Sequence, residues 1–177
     1  MTALMDVIRA RRSVRVFEEK PVEEAKVEAL IEAALRSPSS RGLNPWQFVV
    51  VTEEGTRKAL SEVKPHGGGF LASSPLAIAI VADPERCDVW VEDTSIAATY
   101  IKLTAEFLGL KSCWCQIRLR KDADGNSASD KVRAILGIPD GLEVASIIGI
   151  GYPTEEKAGH PESYLDMDKV HREQFSK

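Results

Sequence analysis

Apolar and polar positions change their spacing several times along the chain, and each change marks an element. Leu4, Met5, Val7 and Ile8 form a short amphipathic segment that reads as a helix ending near Arg12. Val14, Val16 and Phe17 then alternate with charged residues, as in a brief extended segment. Pro21 suits the first turn of a second helix. Val27, Leu30, Ile31, Ala34 and Leu35 continue that helix at i, i+3, i+4, i+7 and i+8. Ser37-Pro38 stops it, because the residue before proline avoids the helical region.

Residues 48–51, Phe-Val-Val-Val, form a continuous apolar run and read as a buried strand. A helix follows over 56–63, broken by Lys64-Pro65-His66-Gly67-Gly68-Gly69. Residues 75–82 read as a second buried strand. Residues 88–108 form a long helix of ~30 Å, with Ile96, Ala97, Tyr100, Ile101, Thr104, Phe107 and Leu108 on one broad face. The small Ala97, Ala98 and Thr99 would admit another helix closely, and Gly109 closes the element. A third strand over 112–117, a short helix over 128–136 and a fourth strand over 144–150 complete the pattern. Beyond Pro153 the chain turns polar, with a helix-like stretch over 166–175. That tail has too few apolar residues to fold alone, so it is expected to lie on its own chain or on a partner.

Helices first, then strands alternating with helices, describe a sheet covered by helices, α+β or α/β. At 177 residues the chain is read as one domain, 1–177, with no internal repeat. No Gly-x-Gly-x-x-Gly follows the first strand, which argues against a Rossmann dinucleotide site.

Charge and cysteine content narrow the function. A net charge of -4 disfavours a nucleic-acid partner. No apolar run approaches the length of a membrane span. Three cysteines, Cys87, Cys113 and Cys115, make no disulfide framework and suit a reducing, cytoplasmic setting. Cys113-x-Cys115 has no companion pair with zinc-ligand spacing. There is no Gly-x-Ser-x-Gly elbow for a serine nucleophile. Gly67-Gly68-Gly69 lacks the Lys-Ser/Thr of a phosphate loop and reads as a mobile loop, a lid at a pocket mouth.

Against the acidic background one basic cluster stands out: Arg11-Arg12-Ser13-Val14-Arg15. Guanidinium forks and a hydroxyl suit phosphate and flat acceptor edges. Cations are also favourable at any helix C-terminus, so the cluster has an ordinary structural explanation as well. A second polar, turn-rich segment runs from Ser37 through Pro38, Ser39, Ser40, Arg41 and Gly42 to Asn44-Pro45-Trp46. Together the two segments describe a site for a small, phosphorylated, planar ligand with a polar edge.

These segments, in their order, carry a family resemblance. Arg11-Arg12-Ser13-Val14-Arg15-x-Phe17, Pro38-Ser39-Ser40 with Asn44-Pro45-Trp46-x-Phe48, Ala97-Ala98, Leu108-Gly109-Leu110-x-Ser112-Cys113-Trp114 and Gly149-x-Gly151-Tyr152-Pro153 together resemble the nitroreductase family. The resemblance implies an α+β helix/sheet/helix sandwich with a mixed, mainly antiparallel central sheet. It implies an interlocked homodimer with FMN bound between subunits and NAD(P)H as donor. By this resemblance Arg11 and Ser13 hold the FMN phosphate, with Arg12 nearby among the cofactor-binding residues, and Arg15 and Asn44 reach the polar edge of the flavin ring. Pro38, Ser39 and Ser40 come from the other subunit. Gln116 and Ile117 lie on the strand passing the flavin, and Gly149 and Gly151 let backbone approach the phosphate end. The implied activity is ping-pong hydride transfer to a nitroaromatic, a quinone or a similar small acceptor, with no catalytic side chain. A flavin-binding or storage protein without catalysis is the alternative. One departure concerns the phosphate. Shortly after Gly-Tyr-Pro the segment offers Lys157, with Arg118 and Arg120 after the third strand as other sources of positive charge.

Overall fold

The computed structural model describes residues 3–175. Its elements are α1 (Ala3–Ala10), α2 (Glu24–Leu35), β1 (Trp46–Val51), α3 (Glu54–Ser61), β2 (Leu76–Ala82), α4 (Trp90–Phe107), β3 (Lys111–Gln116), α5 (Ala128–Leu136) and β4 (Glu143–Gly151). The four strands form one sheet in the order β1-β2-β4-β3, and every neighbouring pair is antiparallel. Its parallel component is a single bridge, Ser13 to Ser112.

Side chains alternate across a strand, so each strand feeds two cores. On one face Ala77, Ala79, Val81, Cys113, Cys115 and Ile147 pack with Leu60, Leu71 and Val132. On the other, Leu76, Ile78, Ile80, Ile148 and Ile150 meet Val27, Leu30 and Ala34 of α2 and Ala98, Ile101 and Ala105 of α4. The sheet thus lies between α3 and α5 on one side and α2 and α4 on the other, the helix/sheet/helix sandwich expected from the sequence. Trp114 faces away from its two neighbouring thiols, as strand alternation requires. Ala97 and Ala98 of α4 are both fully buried.

Three sequence expectations change. The Val49-Val50-Val51 run is not a buried strand throughout. β1 is an edge strand, and while Trp46 and Val51 at its ends are buried, Val50 stays exposed. The apolar face expected on α4 divides in two. Ala97 and Ile101 are buried, whereas Ile96, Tyr100 and Phe107 stand outside, Phe107 with 68% of its surface open. The stretch 166–175 holds one short 3₁₀ turn, Met167–Lys169, rather than a helix. Its few apolar groups have no facing core: Met167, Val170 and Phe175 are exposed, as are Tyr164 and Leu165 just before it. α1 likewise buries no residue and presents Leu4, Met5 and Ile8 outward.

Candidate functional site

The basic motif meets the sheet at the open edge of β3. Arg11 closes the last turn of α1 through its N–H to Val7 O at 3.0 Å. The chain then extends, Ser13 bridges Ser112, and Val14 N–H donates to Ser112 O at 3.3 Å. Ile117 N–H donates the other way, to Ala145 O of β4 at 3.2 Å. Backbone groups of a strand alternate in direction. Trp114 and Gln116 therefore aim their N–H and C=O groups outward, past the end of the Ser13 bridge. No strand among the described residues pairs with them.

Around the start of this edge the structure gathers Arg11, Ser13, Arg15 and a residue that sequence reasoning missed, Lys102 of α4. Burial pushes the Cys113 thiol up, and Arg15, Lys102 and a hydrogen bond with Ser13 partly offset this. Burial pushes the Lys102 ammonium down, and Arg11 adds to that. Lys102 Nζ lies 5.9 Å from the Trp114 ring centroid. The signal for Lys102 was faint: a lysine amid the small, apolar positions of a buried helix. Farther along the strand, Trp114 Nε1–H donates to Gln116 Oε1 at 2.9 Å, and Gln116 Nε2–H to Arg118 O at 3.0 Å. The Gln116 side chain is thereby fixed beside the open edge.

Arg12 is not part of this group. Its Nη1 donates to Ala158 O at 2.6 Å and ties the C-terminal tail to the end of α1. Ile117 is fully buried in the core beneath α5, and its N–H is used within the sheet. Gly149 and Gly151 also sit inside the sheet. A Cβ at Gly149 would lie 2.5 Å from Ser74 Oγ and 2.7 Å from Phe70 Cε2, and one at Gly151 would lie 2.6 Å from Pro75 Cδ. Both glycines admit neighbouring side chains; Gly149 lies in register with Ala77 of β2 and Cys113 of β3, and Gly151 with Lys111 of β3.

The Pro38–Asn44 segment forms a second group. Arg41, Gly42 and Asn44 all adopt positive φ, folding it into a tight loop. Ser39 Oγ–H donates to Asn44 Oδ1 at 2.7 Å and accepts Asn44 N–H at 2.9 Å. Ser40 N–H donates to the buried Asp93 carboxylate at 2.8 Å. Arg41 pairs with Asp88, and Arg86 Nε donates to Leu43 O at 2.7 Å. This loop therefore rides on the N-terminal end of α4. Asp93 and Lys102 are nine residues apart on that helix. That spacing rises about 14 Å and places the two side chains on opposite sides. Within one chain the two groups do not converge.

The other expected cations separate as well. Arg118 lies over the Trp90 ring at 5.4 Å, at the far end of α4. Lys157 forms no ion pair among the described residues. The tail instead brings His160 toward Arg11: a cavity of about 820 Å³ between α1 and the tail is lined by Ile8, Arg11, His160 and Tyr164. Gly67-Gly68-Gly69 is no phosphate cradle. Gly68 is buried, and a Cβ there would lie 2.9 Å from Ser61 O.

The fold agrees with comparisons to known proteins. A family model described as the nitroreductase family matches residues 8–66 and 62–152. The chain belongs to the nitroreductase family. An FMN-dependent nitroreductase structure from Clostridium difficile R20291 is 44% identical, with a TM-score of 0.95, covering 97% of this chain and 99% of its own. A protein of Archaeoglobus fulgidus, provisionally named NADH dehydrogenase/NAD(P)H nitroreductase, is 32% identical over 180 residues, 99% of this chain and 100% of that relative. An NADPH:FMN oxidoreductase from Vibrio harveyi, solved with NAD+, is 21% identical with a TM-score of 0.82. It covers 99% of this chain and 79% of its own and shows the shared fold.

Proposed function

We propose that this nitroreductase-family chain is the protomer of a homodimeric, FMN-dependent NAD(P)H oxidoreductase. The observation that carries the reading is the start of the β3 edge. There Arg11, Arg15 and Lys102 stand beside Ser13 without a carboxylate partner among the described residues, and outward backbone donors follow at Trp114 and Gln116. Such a set fits a phosphorylated planar ligand: cations offset the cost of burying a phosphate, and strand donors match a polar ring edge.

In this reading Arg11 and Ser13 hold the phosphate. Arg15 offers a fork of donors and positive charge to the ring edge that becomes anionic on reduction. The outward N–H of Gln116 serves as a fixed donor. Pro38, Ser39, Ser40 and Asn44 come from a second protomer, because the loop lies at the other end of α4 from Arg11. The uncovered Ile96, Tyr100 and Phe107 of α4, with α1 and the tail, supply the apolar surface for that protomer. FMN, held by these residues, would supply the hydride chemistry between NAD(P)H and a nitroaromatic, quinone or similar acceptor, in ping-pong fashion. The protein positions and tunes the cofactor, so no acid–base pair is needed.

The test is anaerobic. Purified protein loaded with FMN should bleach on addition of NADH or NADPH and regain its colour with a quinone or nitroaromatic. Binding without bleaching by either donor would return the reading to a flavin-storage protein. Light scattering should give a dimer, and a monomer that binds FMN tightly would defeat the shared site.

A further inference from the structure

We infer that Lys102 is a third phosphate-binding group of this site, reaching down from α4 to complete the set begun by Arg11 and Ser13. The inference rests on the FMN reading and adds a residue to it. Lys102 is itself half-buried, on the side of α4 that carries the buried Ala98 and Ala105. A charge there is costly unless an opposite charge arrives. Among the described residues none does: the nearby charged group is Arg11, which repels it, and the nearby thiol, Cys113, is itself held protonated by burial. The Trp114 ring at 5.9 Å stands at the limit of a useful cation–π contact.

Two like charges drawn together beside a hydroxyl form an unfavourable arrangement that a dianion turns into a favourable one. A phosphomonoester carries up to two negative charges at neutral pH, which matches Arg11 plus Lys102. A carboxylate or a neutral ring would leave one cation unanswered. The placement also explains why the segment after Gly-Tyr-Pro need not supply the last cation: α4 delivers it from the other side of β3. Lys102 Nζ is a compact donor that complements the planar fork of Arg11.

The experiment compares FMN with riboflavin, which lacks the phosphate, on the full-length apoprotein by flavin fluorescence quenching. Lys102→Met keeps the aliphatic stem and removes the charge. It should weaken FMN binding about tenfold or more, the loss expected for one charge-assisted hydrogen bond, while riboflavin binding stays unchanged. Lys102→Arg should keep most of the FMN preference, and added salt should weaken FMN less in Lys102→Met than in wild type. Lys102→Gln replaces the Met variant if thermal melting shows that one unfolded. An unchanged FMN-to-riboflavin ratio in a folded Lys102→Met chain overturns the inference, as does an equal loss for both flavins. If Arg11→Ala still loses FMN selectively, the FMN reading survives that failure. Wild-type protein that binds neither flavin overturns both.

Discussion

The backbone N–H of Ser40 donates to the buried carboxylate of Asp93 at 2.8 Å and pins the Pro38–Asn44 loop to the first turn of α4. The same carboxylate accepts the Cys87 thiol at 3.4 Å. A helix N-terminus favours an anion in its first turn, so one side chain stabilises the helix end and fixes the loop. Asp93→Ala should leave a buried N–H unpaired and cost about 1–3 kcal/mol. Asp93→Asn, which keeps an acceptor oxygen, should cost less. Urea unfolding measures the loss, and hydrogen exchange at residues 39–44 shows where it falls. Unchanged exchange in that loop for Asp93→Ala would defeat the clamp.

Gly149 separates a packing role from a ligand role. Ser74 Oγ and Phe70 occupy the space that a Cβ would need. Ser74 is held there by its own bond to Phe70 O at 2.9 Å. Overpacking a core costs about 1–3 kcal/mol, and Gly149→Ala should lose that much in denaturant. The FMN-to-riboflavin affinity ratio should stay the same, because the glycine faces side chains. A selective loss of FMN would restore the phosphate role that the sequence motif implied.

The long, strongly patterned elements were legible in the sequence, and their relations in space were not. Proline and glycine marked the ends of α2 and α5, an unbroken apolar run marked β2, and an apolar run interrupted by glycine marked β4; the structure buries both strands at the centre of the sheet. The same signal misled at β1, since a Val run cannot report which strand lies at an edge. The Arg11–Arg15 motif read as one basic cluster, and the structure divides it. Arg11 stays at the β3 edge, whereas Arg12 turns to the tail. Lys102 drew no notice because the groups around it, Arg11, Cys113 and Trp114, are distant in sequence. The glycines of β4 were matched to a motif whose local cause, contact with Phe70, Ser74 and Pro75, depends on tertiary packing.

The thiols of Cys113 and Cys115 should be inert. Burial raises both above the ordinary thiol value of 9.0, and the thiolate is the reactive form. Folded protein should therefore react slowly with a thiol-specific chromogenic reagent near neutral pH, and denaturant should release all three cysteines together. The sign for stability follows from linkage. Below the unfolded thiol pKa both states hold their protons, and these groups add no pH dependence. Above it the unfolded chain loses its protons first, so unfolding free energy should fall with rising alkalinity. Replacing both thiols with Ala or Ser should flatten that alkaline slope, and a slope left intact would assign it elsewhere.

Arg11 and Arg12 are adjacent in sequence but should respond to substitution in opposite ways. Arg12 Nη1 donates to Ala158 O at 2.6 Å. Next to that bond, a Cβ at Gly159 would overlap the Arg9 carbonyl oxygen. Only glycine lets the tail lie this close to the end of α1. Arg12→Ala and Gly159→Ala should both loosen the tail, one by removing its hydrogen bond and the other by steric exclusion. Limited proteolysis should then cut within residues 154–165 much faster than in wild type, with the core left intact. Arg11→Ala should leave that cleavage rate unchanged. Flavin binding should show the reverse: Arg11→Ala should lose affinity for FMN over riboflavin by about 1.5–3 kcal/mol, the range for a hydrogen bond to a charged group. Arg12→Ala should change both flavins alike. A selective loss of FMN in Arg12→Ala, with no gain in proteolysis, would return Arg12 to the phosphate and leave the tail anchored by other contacts.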